Sequence, residues 1–383
     1  MNFPKIEKIE DCLKAIEGFK EFTVSKKDGY TVINYAYQDK ETFKPHPVSH
    51  TLSNIRKECR GITFDNNGKI IARKYHKFFN VGENETALFR NIDLNKAHLI
   101  LEKLDGSMIT PVFINNQIQW HTKNGETEIS QFVYEFIKEN QNYNDFAREM
   151  ISKNATPIFE YCSRKNQVVL DYKTDRLVLT AIRDNITGEY MPYRIMKEFC
   201  NAYELEIVNT YNSKESNIEN LVNEIYKQNG IEGFVIRFDD GKMFKIKTDE
   251  YIKLHGATAK YTKKKNVLEL IATNSVDDIL PRVPENLAIR INTFNEKVLK
   301  RIMHISDKIK NEIMLFLKTH AKTERKSFAL DFLKDKDKML SGVYFNVLDG
   351  KNSTECIKEF ILKNCNSAKG MEKIEEILGE IEF

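Results

Sequence analysis

Lys103 and the turn that follows it are the first residues of this chain whose types and spacing suggest chemistry. Residues 98–104 alternate and are apolar enough for a β-strand, residues 105–107 (Asp-Gly-Ser) have the composition of a tight turn, and residues 108–114 form the returning strand. A lysine at such a sheet edge can present its amine to a phosphorus or carbonyl electrophile. The same pattern also ends many ordinary hairpins, so other residues have to decide between the two interpretations.

A second predicted hairpin, residues 231–247, carries two further lysines. Lys245 and Lys247 alternate with Phe244 and Ile246, so the two amines are expected on one face of the strand. Two ammonium groups on one face repel each other unless an anion lies between or above them. An exposed basic edge that protects the sheet from aggregation is the alternative.

Several other charged or aromatic residues stand at strand positions. Glu160 lies inside the apolar run 157–162, where a carboxylate is costly unless it is paired, so we expect it to have a partner. Arg60 precedes a glycine at a strand end, and Lys77 precedes two phenylalanines; either can also be a solvated charge. In the predicted strand 30–37, Tyr35 and Tyr37 should share one face.

The apolar periodicity divides the chain near residue 255. Before it we predict strands alternating with helices at residues 7–19 and 129–152, and a loop at 41–54. After it, apolar residues at 291, 294, 298, 302, 305, 309, 313 and 316 step by threes and fours, as in an amphipathic helix. The sequence therefore predicts two domains, residues 1–254 and an all-helical domain 255–383.

Composition sets broad limits. The chain has 383 residues, 41% hydrophobic and 30% charged, with a formal charge of +3, which neither requires nor excludes a nucleic-acid partner. No apolar run approaches the roughly 20 residues that span a bilayer, and the N-terminus does not resemble a signal peptide. Six scattered cysteines lack metal-site spacing. We expect a soluble cytoplasmic protein, of a cell or of a phage-infected host, with buried thiols and no membrane partner.

In chain order, the informative segments are Lys103-Leu104-Asp105-Gly106, Phe159-Glu160-Tyr161, Glu232-Gly233-Phe234 and Lys245-Ile246-Lys247. This order resembles the covalent nucleotidyltransferases, and most closely the phage-type RNA ligase 1 family. The segments at residues 58–61, 77–80 and 187–190 resemble that family too. The resemblance covers about residues 35–255 and is weaker beyond, where residues 276–278 resemble a family Asp-Asp pair.

The resemblance implies a fold and an activity. The fold is α+β: a nucleotidyltransferase domain of ATP-grasp-like antiparallel sheets with helices, followed by the helical domain. The activity is that of an ATP-dependent RNA ligase, which adenylylates itself, transfers AMP to an RNA 5′-phosphate and joins that end to a 3′-hydroxyl. ATP, Mg²⁺ or Mn²⁺, and a broken tRNA or other structured RNA are the implied ligands. We expect a monomer whose helical domain recognises the RNA.

By the same resemblance, Lys103 is the nucleophile that carries AMP, and Lys245 and Lys247 contact the α-phosphate. A free lysine titrates near ~10.4, so attack at neutral pH requires the amine to lose a proton. Neighbouring cations favour that loss and also neutralise the charge that develops on the transferred phosphoryl group.

The other implied roles complete the nucleotide site. Arg60 and Lys77 would hold the outer phosphates, Glu160 the ribose, and Tyr35 and Lys123 would line the pocket.

Glu232 and Asp277 are the implied metal contacts, Glu232 acting on the metal or on the nucleotide. Asp105 and Gly106 would set the turn after the nucleophile.

The sequence departs from the family pattern at two places, which concern the RNA-contacting surface. Gln167 stands where the family tends to have arginine, and residues 122–125 read Thr-Lys-Asn-Gly, without a glycine directly after the lysine.

Two alternatives to an RNA ligase stay open at this point. A DNA ligase or a GTP-using capping enzyme usually carries an OB-fold after the lysine-rich strand, whereas this tail reads helical. An RNA-binding protein could keep the fold without catalysis, although it would have no use for Lys103. The basic stretch 260–265 is either an RNA contact or a solvated linker.

Overall fold

The computed structural model describes residues 3–38, 41–44, 49–320, 325–336 and 338–383. The chain divides into two compact units, Met1–Ile252 and Lys253–Phe383. The first contains strands and helices, and the described part of the second is helical. The predicted α+β class with a helical C-terminal region is confirmed. Among the described residues, no helix has the length and apolar character needed to span a membrane.

The strands all lie in the first unit. They are β1 Phe22–Lys27, β2 Tyr30–Tyr35, β3 Ile62–Asp65, β4 Ile70–Ala72, β5 Phe79–Asn80, β6 His98–Lys103, β7 Ser107–Ile114, β8 Gln117–His121, β9 Ala155–Cys162, β10 Arg176–Asp184, β11 Thr210–Tyr211, β12 Gly233–Phe238 and β13 Met243–Lys247. They form three sheets, in the orders β1-β2-β3-β4, β10-β9-β7-β8 and β11-β6-β12-β13-β5. The pairings are antiparallel except for that of β5 with β13.

The helices follow in chain order. They are α1 Ile9–Ile16, α2 His50–Glu58, α3 Glu128–Glu139, α4 Asn142–Ser152, α5 Tyr193–Tyr203, α6 Ile218–Tyr226, α7 Asp249–Tyr261, α8 Lys264–Ala272, α9 Glu285–Thr319, α10 Arg325–Ser327, α11 Ser341–Leu348, α12 Ser353–Asn364 and α13 Ala368–Leu378. Each sheet of the first unit has an apolar core of its own, because helices bury one of its faces: α1 and α2 cover the first sheet, α3 to α5 the second and α6 the third.

The second unit is built around its longest helix. α9 buries Leu287, Ile291, Phe294, Val298, Ile302, Ile309, Ile313 and Phe316 along one side. These side chains share one core with residues of α8 and α11 to α13. The helical periodicity predicted for residues 291–316 is therefore confirmed.

The hairpin of β12 and β13 places its side chains as the alternation predicts. Phe244 and Ile246 are buried in the core of the third sheet, whereas Lys245 and Lys247 lie half-buried on the opposite face. Gly241 makes the turn with φ +83°, a conformation that glycine adopts without strain. The predicted shared face of the two lysines is confirmed.

Three details differ from the sequence-based expectations. The loop predicted for 41–54 is wrong at its end, because α2 begins at His50 after Ser49, whose hydroxyl accepts the Leu52 amide; residues 45–48 lie outside the described residues. The single helix predicted for 129–152 is wrong, because the backbone leaves the helix at Asn140 (φ −133°, ψ 65°). Tyr37 lies beyond the end of β2 and is 55% exposed, so it does not share a strand face with Tyr35.

The six cysteines are all buried and free, as predicted.

Candidate active site

A cavity of about 640 Å³ opens in the first unit between the ends of its sheets. Most of the residues predicted from the sequence line it: Tyr35, Arg60, Lys77, Lys103, Gly106, Lys123, Glu160, Lys245 and Lys247. They come from β2, β6, β9, β13 and the segments after α2, β4, β6 and β8, which are far apart in the sequence. The fold therefore gathers at one cavity the residues that were singled out separately.

Strand register brings the lysines of β6 and β13 to one carboxylate. Gly233, the first residue of β12, is paired with Lys103 on one side and with Lys247 on the other. Glu232 directly precedes it and is 4% exposed. One of its oxygens lies 2.7 Å from Lys103 Nζ, and the other lies 2.9 Å from Lys247 Nζ.

Gly233 cannot be replaced without displacing this arrangement. Its φ of +149° is in the region that side chains rarely adopt, and a Cβ would lie 2.0 Å from the carbonyl oxygen of Ile246. The glycine thus lets β12 run close enough to β13 for Glu232 to reach both lysines.

Glu160 lies on β9, where it pairs with Met108 and Val178 of the neighbouring strands. Burial raises the pKa of its carboxyl to about 7, against the opposing effect of the Lys103 cation. In the described parts of the chain its carboxylate has no ion pair and no hydrogen bond to a protein group. A half-buried carboxyl that lines a cavity without a protein partner is available to a ligand.

Several cations line the same cavity as Glu160. Burial, followed by the cations of Lys77 and Lys103, lowers the pKa of Lys245 to about 7. Burial also lowers the pKa of Lys77 and of Lys123, and the Arg60 cation contributes in both cases. Within the described residues the Lys245 amine has no ion pair or hydrogen bond. Crowded cations of this kind are stabilised by an anion, and a polyphosphate would supply one.

Lys77 is the best-anchored of these cations. Its amine donates a 2.5 Å hydrogen bond to the side-chain oxygen of Gln38, lies 3.9 Å from Glu83 and is 4.9 Å from the centre of the Phe79 ring. These contacts keep the amine at the cavity although the side chain is almost fully buried.

Asp105 does not line the cavity. Its carboxylate accepts hydrogen bonds from the amides of Val169 and Leu170, at 2.8 and 2.7 Å, and from the Tyr251 hydroxyl at 2.7 Å. Gly106 follows it at a close approach of backbones, since a Cβ there would lie 2.3 Å from the carbonyl oxygen of Tyr161. Both residues hold the turn that positions Lys103.

A buried charge network that the sequence did not suggest lies next to Arg60 in the chain. Glu58 accepts two hydrogen bonds from Arg183, at 2.6 and 2.7 Å, and one from Arg73 at 3.3 Å. The two arginines hold the pKa of this fully buried carboxyl at about 2 against the effect of burial. The network fixes the end of α2, two residues before Arg60.

Arg237 is a cavity residue that strand alternation could have identified. It lies on β12 two positions after Val235, which is opposite Lys245, and it is 6% exposed. The same face therefore carries Lys103, Lys245, Lys247 and this guanidinium. Tyr75, Phe78 and Thr180 also line the cavity, and no pattern in the sequence marked them.

The two predicted metal contacts are placed differently. Glu232 lies beside the cavity, with both oxygens engaged by lysines, whereas Asp277 is exposed and belongs to the second unit. Nowhere in residues 3–38, 41–44, 49–320, 325–336 and 338–383 do three or more His, Cys, Asp or Glu side chains form a group that could hold a metal.

Comparison with known proteins adds to this geometry. The model of the RNA ligase family of the T4 RNA ligase 1 type matches residues 58–252, just over half of the chain. A protein of Thermovibrio ammonificans described as "Putative RNA ligase" is 29% identical over 356 residues, which cover 85% of this chain and 87% of the relative. A "Putative bifunctional polynucleotide kinase/RNA ligase" of Autographa californica nuclear polyhedrosis virus is 25% identical over 65% of this chain and 37% of its own length.

Solved structures are more distant. An archaeal ATP-dependent RNA ligase is 14% identical, with a TM-score of 0.43 over 68% of this chain and 64% of that one. A Naegleria gruberi RNA ligase mutant, determined with ATP and Mn, is 18% identical with a TM-score of 0.41, over 49% of this chain and 59% of that one. The match of the family model over residues 58–252 contains Arg60, Lys103, Glu160, Glu232 and Lys245. This chain belongs to the RNA ligase family.

Proposed function

We propose that this chain is an ATP-dependent RNA ligase that works through a covalent AMP on Lys103. The observation that carries the proposal is the position of the Lys103 amine, 2.7 Å from Glu232 at a cavity that Arg60, Lys77 and Lys245 also line. A nucleophilic amine beside a carboxylate, in a cavity lined by several cations, suits attack on a phosphate ester.

ATP fits the cavity by size and by charge. A volume of about 640 Å³ lies within the usual range for sites of small ligands and cofactors. The half-buried Lys245 amine, which has no ion pair or hydrogen bond within the described residues, would be stabilised by an anion, and the triphosphate supplies one. The pKa of the Glu160 carboxyl is about 7, so both of its protonation states occur near neutral pH. Each state can form a hydrogen bond with a ribose hydroxyl. Tyr35 and Lys123 lie farther along the wall, where they complete the pocket.

In the first step the Lys103 nitrogen forms a bond to the α-phosphorus while the bond from phosphorus to the pyrophosphate oxygen breaks. The ion pair with Glu232 holds the amine at the cavity until then, and the amine has to lose one proton before it attacks. Lys245 and Lys247 stabilise the negative charge that develops on the α-phosphoryl oxygens. Arg60 and Lys77 stabilise the departing pyrophosphate, since each adds a positive charge to the same cavity.

A divalent cation would neutralise phosphate charge and orient the leaving group. Glu232, which lies 2.7 Å from Lys103 and 2.9 Å from Lys247, is the carboxylate of the first unit that we propose as a contact of such an ion. Asp277 is proposed as an outer contact of such an ion.

Two further steps complete the reaction. The 5′-phosphate of an RNA attacks the lysine-bound AMP and frees Lys103, and a 3′-hydroxyl then attacks the adenylylated end and releases AMP. Sealing of a broken tRNA, or of another structured RNA, fits a helical second unit that reads RNA by shape and phosphate contacts. Its described residues contain helices and no strand, which favours an RNA ligase over DNA ligases and capping enzymes with an OB-fold.

The decisive experiment is incubation with labelled ATP, and in parallel with labelled GTP, followed by a denaturing gel. We expect ATP to label the wild type through a bond that acid cleaves and alkali does not, as in a phosphoramidate. Lys103→Ala and Lys103→Arg should abolish labelling, the latter because a guanidinium stays protonated. Lys138→Ala, an exposed lysine of α3, is the matched control and should be labelled normally.

The other possible outcomes of the labelling experiment would indicate different functions or a different nucleophile. Labelling by GTP alone would indicate a capping-type enzyme, and no labelling by either nucleotide would indicate an RNA-binding protein without catalysis. A Lys103→Ala variant that still becomes labelled would overturn the choice of nucleophile.

The basic stretch 260–265 tests the recognition of structured RNA. Lys260, Lys263 and Lys265 are exposed, whereas Lys264 is paired with Glu375. Replacing the three exposed lysines with alanine should reduce the preference for a nicked tRNA-like stem-loop over a plain single strand, with ATP labelling unchanged. An unchanged preference would assign these lysines to a solvated linker.

A further inference from the structure

A second cavity lies on the other side of the segment that carries Lys77. Its volume is about 710 Å³, and it is lined by Asn54, Lys57, His76, Lys77, Phe78, Phe79, Thr86, Asn91, Lys242, Met243 and Phe244. Lys77, Phe78 and Met243 line the first cavity as well. The two cavities are therefore neighbours, and they meet where the proposed function places the phosphate end of ATP.

The charges of the second cavity have one sign. Lys57, Lys77 and Lys242 contribute three amines, and none of the described residues that line it is acidic. His76 stays neutral near pH 7, because burial lowers its pKa to about 3. The carboxylates nearest to these amines are Asp240, 3.5 Å from Lys242, and Glu83, 3.9 Å from Lys77.

Lys57 is the most informative of the three. It lies in the last turn of α2, half-buried, and its carbonyl accepts the Lys77 amide at 2.7 Å, so the two residues are fixed to each other. Burial alone lowers the pKa of its amine. Among the residues that the structure describes, this amine has no carboxylate and no hydrogen-bond acceptor. A half-buried ammonium group without a partner is costly, and a bound anion would remove that cost.

We propose that this second cavity holds the phosphodiester backbone of the RNA strand whose 5′-phosphate is to be adenylylated. Phosphates are the anions for which lysine point charges on a groove are suited. Asn54, Thr86 and Asn91 add amide and hydroxyl groups that can bond a base edge or a 2′-hydroxyl. The volume is larger than a free pyrophosphate needs, which favours a polynucleotide over the leaving group.

This inference rests on the proposed function, since it takes the first cavity as the site of AMP. Lys57 and Lys242 have no part in the formation of lysine–AMP, and their loss should affect only the steps that involve RNA. The strand would enter past Lys57 and Lys242 and reach the AMP-bearing lysine beside Lys77.

The test uses full-length Lys57→Ala, Lys242→Ala and the double variant, with Lys138→Ala as control. Binding of a short 5′-phosphorylated RNA is measured by fluorescence anisotropy from 50 to 200 mM salt, values chosen because phosphate contacts weaken markedly over about this range. We expect the affinity to fall about tenfold for each lysine, as for a charge-assisted hydrogen bond. The slope of log affinity against log salt should fall by about 0.7 for each lysine. Lys57→Arg and Lys242→Arg should keep most of the affinity and most of the salt slope, because the positive charge remains.

Three kinetic measurements separate the sources of phosphate. Labelling by ATP without RNA should be unchanged in the alanine variants, and the KM for a pre-adenylylated RNA should rise about tenfold for each. In the reverse reaction, the KM for pyrophosphate should stay constant. A rise in the KM for pyrophosphate alone would assign the cavity to the leaving group and overturn the RNA proposal. An unchanged salt slope of RNA binding would also overturn it.

Failure of the proposed function would be seen separately. A wild type that forms no lysine–AMP removes the ligase mechanism, whereas the anisotropy measurement still decides whether the cavity binds RNA. Loss of ATP labelling together with RNA binding in the alanine variants would overturn the proposed division between the cavities.

Discussion

Replacing Glu160 with glutamine should stabilise the first unit at neutral pH while damaging its activity. The Glu160 carboxyl is half-buried at the cavity, has no ion pair or hydrogen bond in the described residues, and has a pKa raised by burial from 4.5 to about 7. Between these two values the folded state retains a proton that the unfolded state has released. The folded protein therefore loses stability as the pH rises through this window.

The size of the effect follows from the two pKa values. A difference of about 2.5 in pKa corresponds to about 3 kcal/mol of unfolding free energy, fully lost above pH 7. Glutamine has nearly the same shape and carries no charge at any pH. The difference in unfolding free energy, Glu160→Gln minus wild type, should thus rise by about 2 to 3 kcal/mol from pH 5 to pH 8 and change little above that.

The single tryptophan makes the measurement specific to the first unit. Trp120 lies on β8, is 1% exposed and packs against Phe159, next to Glu160. Urea unfolding followed by its fluorescence reports on this core without a contribution from the second unit. Glu139→Gln, an exposed carboxylate of α3, is the control and should reproduce the pH dependence of the wild type.

Buried lysines act in a different pH window and cancel in the comparison. Burial lowers the pKa of Lys74 and of Lys245 to about 7, so the unfolded state binds more protons between pH 7 and about 10. In that range stability should rise with pH in the wild type and in Glu160→Gln alike. A difference between the two proteins that does not vary from pH 5 to pH 8 would refute the assignment of a buried, unpaired carboxyl to position 160.

Three further predictions concern the lysines proposed to contact the phosphate, the buried charge network and the proposed metal contact. Lys245→Ala and Lys247→Ala should each reduce lysine–AMP formation at least tenfold, since each removes a cation from the α-phosphate, whereas Lys242→Ala should not; equal effects in an ATP-labelling assay would favour an exposed basic edge. Glu58→Gln should destabilise the first unit by about 3–5 kcal/mol in the Trp120 unfolding assay, because it leaves two buried arginines without a counter-charge, and a change within error would contradict that network. Asp277→Ala should raise the Mg²⁺ concentration for half-maximal sealing, and an unchanged titration would remove Asp277 from the metal site.

Local patterns predicted the hairpin residues well. The shared face of Lys245 and Lys247 follows from alternation within one strand, and the turn that joins their hairpin is marked by Gly241. The same alternation would have identified Arg237, which carries no other signal. The helix 129–152 shows the limit of periodicity, because the apolar pattern continues through the break at Asn140.

Contacts between distant segments could not be predicted in this way. Lys103 reaches Glu232 only because β12 pairs with β6, a partner that no local pattern identifies. Glu58 and Arg183 are 125 positions apart, and each alone resembles a surface charge. The resemblance to a family supplied the set of site residues in advance, but neither the Glu58 network nor the position of Lys57.

Some of the candidate functional residues of the first unit are charged groups whose burial costs stability. Lys245 and Lys57 lie at cavity walls where burial lowers their pKa, and neither amine has an ion pair or a hydrogen bond within the described residues. A fold selected only for stability would pair or remove such groups, as it does with Glu58. A polyanion bound in both cavities would offset that cost, because its negative charge favours the protonated form of each amine. Binding of phosphate ligands should therefore stabilise the first unit against unfolding. The protein should also take up protons near pH 7 as these ligands bind.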